Sequence, residues 1–225
     1  MNTKTSLGLV LSLAGAPLSA GDVQLSGHLG LRSLLGKVEG KYERSRDKEE
    51  KSFDVSKQSF IGGIGFGYKE NLEDLFWQVD LMGTFGSGAL KKSSDCKYLP
   101  DAKVEYLVKK GSSFGLIFGI GLPFPETVSP VLLLGPELSV WTSEVTVENA
   151  KEKDSEKKSY TKVGLVVGLG MDISVDSDCT VRFRYTANMG GKGSDVALKD
   201  KFSQLGQSVK SAIEHRVAVD LFVAL

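Results

Sequence analysis

Few residues in this sequence are equipped for covalent or metal chemistry. Its two histidines are His28, within "VQLSGHLGL", and His215, within "EHRVAVD". A hydrolase triad needs a nucleophile, a base and an orienting acid at one height on one face. Neither histidine has a serine and an acid so placed by spacing. "GGIGFG" at 62–67 has the look of a phosphate-binding loop, yet no Lys-Ser or Lys-Thr follows it and no helical period begins there, so these read as strand glycines. No catalytic residue, no cofactor site and no metal-ligating set is expected. The chain does carry charge set into apolar surroundings. In "VGLVVGLGMDISVDSDCTVRFRY" (163–185), Asp172, Arg182 and Arg184 share alternate positions with glycines, opposite a run of valines and leucines. The chemistry open to such residues is ion pairing away from water.

Charges at a period of two require strands to hold them. In "VQLSGHLGL", Val23, Leu25, Leu29 and Leu31 alternate with Gln24, Ser26, His28 and Gly30, the pattern of a strand with two unlike faces. The pattern recurs, giving strands over about 23–35, 58–68, 75–87, 104–121, 129–147, 161–175, 179–189 and 215–225. Short links ("KENLED", "PFPETV", "DSD") alternate with long polar ones ("RSRDKEEKSF", "KKSSDCKYLPD", "ENAKEKDSEKKS" and 190–214). An up-and-down barrel with tight turns at one end and long loops at the other has this rhythm. Cys96 and Cys179 then sit at opposite ends, too far apart for a disulfide. Within the fourth long link, Leu198, Phe202, Leu205, Val209 and Ala212 or Ile213 recur at steps of three and four after Ser194 or Asp195. This predicts an amphipathic helix over 195–213. Pro136 lacks an N–H, so a bulge or bend is expected at Gly135-Pro136.

Sorting by parity gives one set without charge, including Leu29, Phe60, Leu81, Phe118, Leu169 and Val219. The other set contains Arg32, Asp80, Glu137, Asp172, Arg182, Arg184, Arg216 and Asp220. A soluble barrel would turn the apolar set inward, and a membrane barrel would turn it to lipid. The chain holds 22 lysines, and none is among the polar-set residues taken from the strand cores, whereas four of its six arginines are. An enclosed space selects this mixture, because guanidinium forks match carboxylates in buried pairs. The eight charged residues are therefore placed in the lumen as a structural cluster. With the 175–179 turn centred on Ser177, Asp172 lies across from Arg182.

Composition fixes the remaining limits. Lys plus Arg equals Asp plus Glu at 28 each, so there is no basic surplus for nucleic acid. The N-terminal "MNTKTSLGLVLSLAGAPLSAGD" has a lysine, an apolar run from Leu7 to Leu18 and a small-residue end at Ser19-Ala20. This predicts a cleavable signal peptide over 1–20 ahead of a barrel over 21–225.

A signal sequence, about eight alternating strands, short turns against long charged loops and a closing "HRVAVDLFVAL" resemble the small outer-membrane β-barrels of Gram-negative bacteria. The kinds in question are the OmpA transmembrane domain, OmpX and opacity proteins. The resemblance implies an all-β, eight-stranded antiparallel up-and-down transmembrane barrel, here with a short helix in the fourth loop. It also implies an outer-membrane location, contact with outer-membrane lipid, and recognition of the C-terminal strand by the assembly machinery. That strand usually ends in an aromatic residue in this family; here it ends in Leu225, with Phe222 on the other parity. The function implied is structural or surface interaction, with a host or cell-surface partner reached through the loops. A small pore and a lipid-modifying enzyme are the lesser readings.

Overall fold

The computed structural model describes residues 21–44, 47–86, 88–95, 102–123, 128–148, 153–190, 196–199 and 204–225. The signal segment over 1–20 and Cys96 lie outside them. The described chain is strand throughout, joined by turns. Its elements are β1 (Asp22–Arg44), β2 (Asp47–Asn71), β3 (Phe76–Phe85), β4 (Gly88–Asp95), β5 (Lys103–Gly121), β6 (Val128–Glu148), β7 (Lys153–Ser174), β8 (Cys179–Gly190), β9 (Val196–Lys199) and β10 (Gln204–Ala224). Strands β1, β2, β3, β5, β6, β7, β8 and β10 pair antiparallel in that order, and β1 with β10 closes an eight-membered ring. Strand β4 adds to β5 and β9 adds to β10, both at the end away from the chain termini.

The ring's outer surface carries an apolar belt. Leu29, Phe60, Ile64, Leu81, Phe118, Leu169 and Val217 all point out and are exposed, Leu29 by 75% and Phe60 by 83%. An apolar surface of this extent, wrapped around a closed ring, is matched by hydrocarbon and not by water. The ring form answers the second demand of lipid, since closure gives each of the eight strands a paired neighbour on both sides, β2 with β3 as far up as Gly62↔Phe85.

The strands run well past the belt, and there the two faces exchange character. Along β1 the outward residues are Leu25, Leu29, Leu31 and Leu35, followed by Lys37, Glu39 and Lys41. The inward ones are Gln24, Ser26, His28 and Arg32, followed by Leu34, Val38 and Tyr42. Above the belt, Leu34, Val38, Tyr42, Leu90, Val104, Tyr106, Val108, Trp141, Val145, Leu205 and Val209 form an enclosed apolar core. The outer surface at that level holds ion pairs such as Lys91–Glu105 at 2.8 Å and Lys210–Glu39 at 3.1 Å. One barrel therefore has a polar lumen where lipid surrounds it and an apolar lumen where water does. Alternation with a period of two permits the reversal with no change of backbone.

Three sequence expectations are corrected here. The long links after the first and fifth predicted strands are largely strand: β1 and β2 pair continuously up to Arg44↔Asp47, and β6 and β7 up to Glu148↔Lys153. The stretch expected to be helical over 195–213 is strand wherever described, as β9 and the start of β10. Leu205 and Val209 are four apart, which is also two strand periods. A register shift opposite Lys37 and Val38 then pairs Ser211 and Val209 with adjacent residues and moves the inward side to Ala212. A bulged strand thus reproduces the three-and-four spacing of a helix face. Finally, β6 is not bulged at Gly135-Pro136. The register to β5 is the same on either side, Gly115↔Glu137 and Phe118↔Leu134, and the shift falls in β5 between Lys110 and Ser113.

Between β3 and β4 the chain turns at Gly86, whose φ of +147° favours glycine; a Cβ there would lie 2.6 Å from the Phe60 carbonyl oxygen. Gly86→Ala is expected to lower stability by about 1–2 kcal/mol, read from urea unfolding of the refolded protein.

Candidate functional site in the barrel lumen

The belt-level lumen is lined by charge supplied from β1, β3, β5, β6, β7, β8 and β10. All eight residues singled out by parity are buried there: Arg32, Asp80, Glu137, Asp172, Arg182, Arg184, Arg216 and Asp220. They divide into two groups.

The lower group, nearer the termini, centres on Arg182. It stands opposite Asp172 in the β7–β8 register. Its Nε and Nη2 donate to the two carboxylate oxygens of Asp172 at 2.5 and 2.7 Å, a bidentate fork. Nη2 also donates to Gln78 Oε1 at 2.6 Å, and Gln78 Nε2 donates to Asp80 Oδ2 at 2.5 Å. The guanidinium stacks 4.7 Å above the Phe222 ring, which explains why this aromatic faces inward near the chain end. Beside it, Arg184 Nε meets Asp220 Oδ2 at 2.8 Å.

The upper group is held by two glutamates. Glu214 receives Arg32 Nε at 2.6 Å, Arg216 Nε at 2.6 Å and the Lys110 ammonium. Glu137 receives Arg216 Nη1 at 2.5 Å, Lys110 Nζ at 2.8 Å and Asn188 Nδ2 at 2.7 Å. Arg32 also donates to the Gly86 carbonyl at 3.1 Å, tying the cluster to the β3–β4 bend. Three cations face two carboxylates here, and in the lower group two cations face three. The groups are complementary in excess charge, and together they are neutral.

Lys110 and Glu214 were not among the residues found by parity. Lys110 is turned inward by the shift in β5 between Lys110 and Ser113, so counting back from Phe114 assigns it to the wrong face. Its presence corrects the expectation that the lumen excludes lysine. Glu214 lay just outside a strand taken to start at 215, because the preceding residues read as helix. Its even number, shared with Arg216 and Asp220, was the available signal.

The glycines of "GGIGFG" make room for this lining. A Cβ on Gly63 would come within 2.3 Å of His28 Cε1, and one on Gly67 within 2.1 Å of Asp80 Oδ1. The histidines lie on opposite sides of the wall: His28 is buried inside, 3.2 Å from Thr84 Oγ1, and His215 is outside, 2.6 Å from the Tyr185 hydroxyl and stacked on its ring. The wall itself keeps them from sharing a site. Among the described residues no three His, Cys, Asp or Glu side chains converge as metal ligands.

A closed antiparallel ring with an apolar outer belt and an ion-paired lumen is a transmembrane β-barrel of the outer-membrane kind. No family model and no curated protein sequence matches the chain. Among solved structures it is similar to small outer-membrane barrels. Neisserial surface protein A is 16% identical over 92% of this chain and 100% of that one, with a TM-score of 0.42. OprG from Pseudomonas aeruginosa is 10% identical over 91% and 97%, at 0.45. Ail, the attachment invasion locus protein of Yersinia pestis, is 14% identical over 87% and 99%, at 0.28.

Proposed function

We propose that the chain is a non-enzymatic surface-interaction protein of adhesin or opacity-like type. In this reading a cleavable signal over 1–20 directs it to the outer membrane, the C-terminal strand engages the assembly machinery, and the extended end of the barrel faces the exterior. The observation that carries the reading is the contrast between the two ends. Strands stop at short turns near Asn71, Gly121 and Ser174, but at the other end they rise past the belt as a cored, charge-coated platform. Such a platform presents surface; its interior gives solutes no path. Eight-stranded rings are just wide enough for their side chains, and here those side chains are bonded to one another across the lumen, as in Arg182–Gln78 and Arg216–Glu137.

The reading is tested by planar-bilayer conductance of the refolded protein alongside membrane fractionation of the expressed one. Expected are outer-membrane fractionation, a heat-modifiable band and no stable openings. Long-lived, ion-selective openings would overturn it in favour of a pore.

A further inference from the structure

The turn end of the barrel is acidic. Its described residues hold the acids Asp22, Glu70, Glu73, Asp74, Asp176 and Asp178 and, against them, the lysine Lys69. The platform at the other end mixes both signs on its outer surface, as in Lys37, Glu39 and Lys41. In the middle of the turn end the lumen opens into a cavity of about 320 Å³, with Asp22, Asp176 and Asp178 at its exposed rim and Gln24, Phe76 and Thr180 further in. At roughly 30 Å³ per water, it has room for a long side chain and solvent beside it.

An acidic rim alone attracts cations without placing them. Two buried groups can do the placing. Gln24 is 7% exposed and lines the cavity, and its side chain makes no hydrogen bond among the described residues. A buried amide without a partner costs free energy that a donor on a ligand would return. Behind it in the wall lies Asp80, since Gln24 pairs with Gly67 and Gly67 with Asp80. Gly67 puts no side chain between them: Asp80 Oδ1 lies 2.1 Å from where a Cβ would stand, and it too has no hydrogen-bond partner among the described residues. Asp80 belongs to the lower group, where three carboxylates face two guanidinium groups, so a further positive charge is favoured there. Lys69 does not supply it. Its ammonium sits 4.1 Å from the centre of the Phe76 ring, with no carboxylate at ion-pair distance among the described residues.

We propose that this cavity receives a lysine or arginine side chain from a basic segment of a partner protein that meets the barrel at its turn end. The cationic head donates to the Gln24 amide oxygen and is drawn by the uncompensated carboxylate charge behind it, while Asp22, Asp176 and Asp178 at the rim hold the basic residues that flank it. Phe76 and the stem of Lys69 line the wall beside the ligand's methylenes. The site lies at the opposite end from the platform, so it goes beyond the surface-interaction reading and does not depend on it. In the orientation proposed above, the partner is a periplasmic protein.

The test uses the folded protein in zwitterionic detergent micelles and a fluorescein-labelled peptide of alternating lysine and glycine, followed by anisotropy. Expected are saturable binding of one peptide per barrel and at least about tenfold weaker binding of the same peptide with its lysines acetylated. Butylammonium chloride should displace the peptide at a concentration where sodium chloride of equal ionic strength has little effect. Gln24→Leu, with folding checked by heat-modifiability, should weaken binding by a similar factor, and Lys69→Met should strengthen it by removing the cation nearest the site. No saturable binding, equal displacement by butylammonium and sodium, or full affinity in the folded Gln24→Leu protein would each overturn the proposal, the last two leaving only a diffusely acidic surface. Binding seen in the Lys69→Met protein alone would overturn it as well, with Lys69 itself as the occupant. None of these results bears on conductance or fractionation, so failure of the cavity site and failure of the surface-protein reading are read separately.

Discussion

Glu214→Ala is expected to destabilise the barrel by about 3–5 kcal/mol, the cost of removing one member of a buried charge network and leaving its partners unpaired. Glu214 is 2% exposed and holds Arg32, Arg216 and Lys110 together. Once it is gone, three cations in the upper lumen face Glu137 alone. The measurement is urea unfolding in lipid vesicles, followed by the gel shift between folded and unfolded forms. A control pair separates burial from charge: Glu105→Ala, which breaks the exposed Lys91–Glu105 contact, should cost less than about 1 kcal/mol. The companion change Lys110→Met removes a cation from a group that has one in excess, and should therefore be milder than Glu214→Ala.

The second large effect lies on the other side of the wall. Leu81 is 57% exposed, in the middle of the outward residues of β3 and between Phe66 and Leu116 on its neighbours. Leu81→Arg is expected to cost about 2–4 kcal/mol, the depth-dependent penalty for guanidinium at the bilayer midplane. Glu39→Arg, outward on β1 but above the belt, gives up the surface contact with Lys210 and should cost no more than about 1 kcal/mol when measured the same way. The two arginines test whether the outer surface meets two different media.

Which parts of this molecule could be read from its sequence follows from what alternation does and does not encode. The strands of the belt were legible because lipid and lumen impose opposite demands, so Val23, Leu25, Leu29 and Leu31 stand out against Gln24, Ser26 and His28. The platform was not. In "KVEGKYE" the alternation is as regular, with Val38 and Tyr42 between Lys37, Glu39, Lys41 and Glu43, but its polarity is reversed and so it read as a charged loop. The signal was a change of medium, and composition alone gives it the same appearance as a change of structure. Lys110 and Glu214 were hidden for a related reason. A one-residue irregularity in β5 or β10 leaves composition untouched and reverses every assignment beyond it.

The barrel's placement in a bilayer turns on which face of β1 meets oil, and on where that stops. The most direct measurement is a spin-label scan of single cysteines at Leu25, Leu29, Leu31, Leu35, Lys37, Glu39 and Lys41, with Cys96 and Cys179 replaced by serine and the protein in vesicles. Collision with dissolved oxygen and with a water-soluble nickel chelate is compared at each site. Oxygen-dominated collisions are expected through Leu35 and chelate-dominated collisions from Lys37 onward, with no intervening change of strand geometry. Chelate access at Leu29 and Leu31 as high as at Glu39 and Lys41 would contradict it, because those leucines would then be facing water.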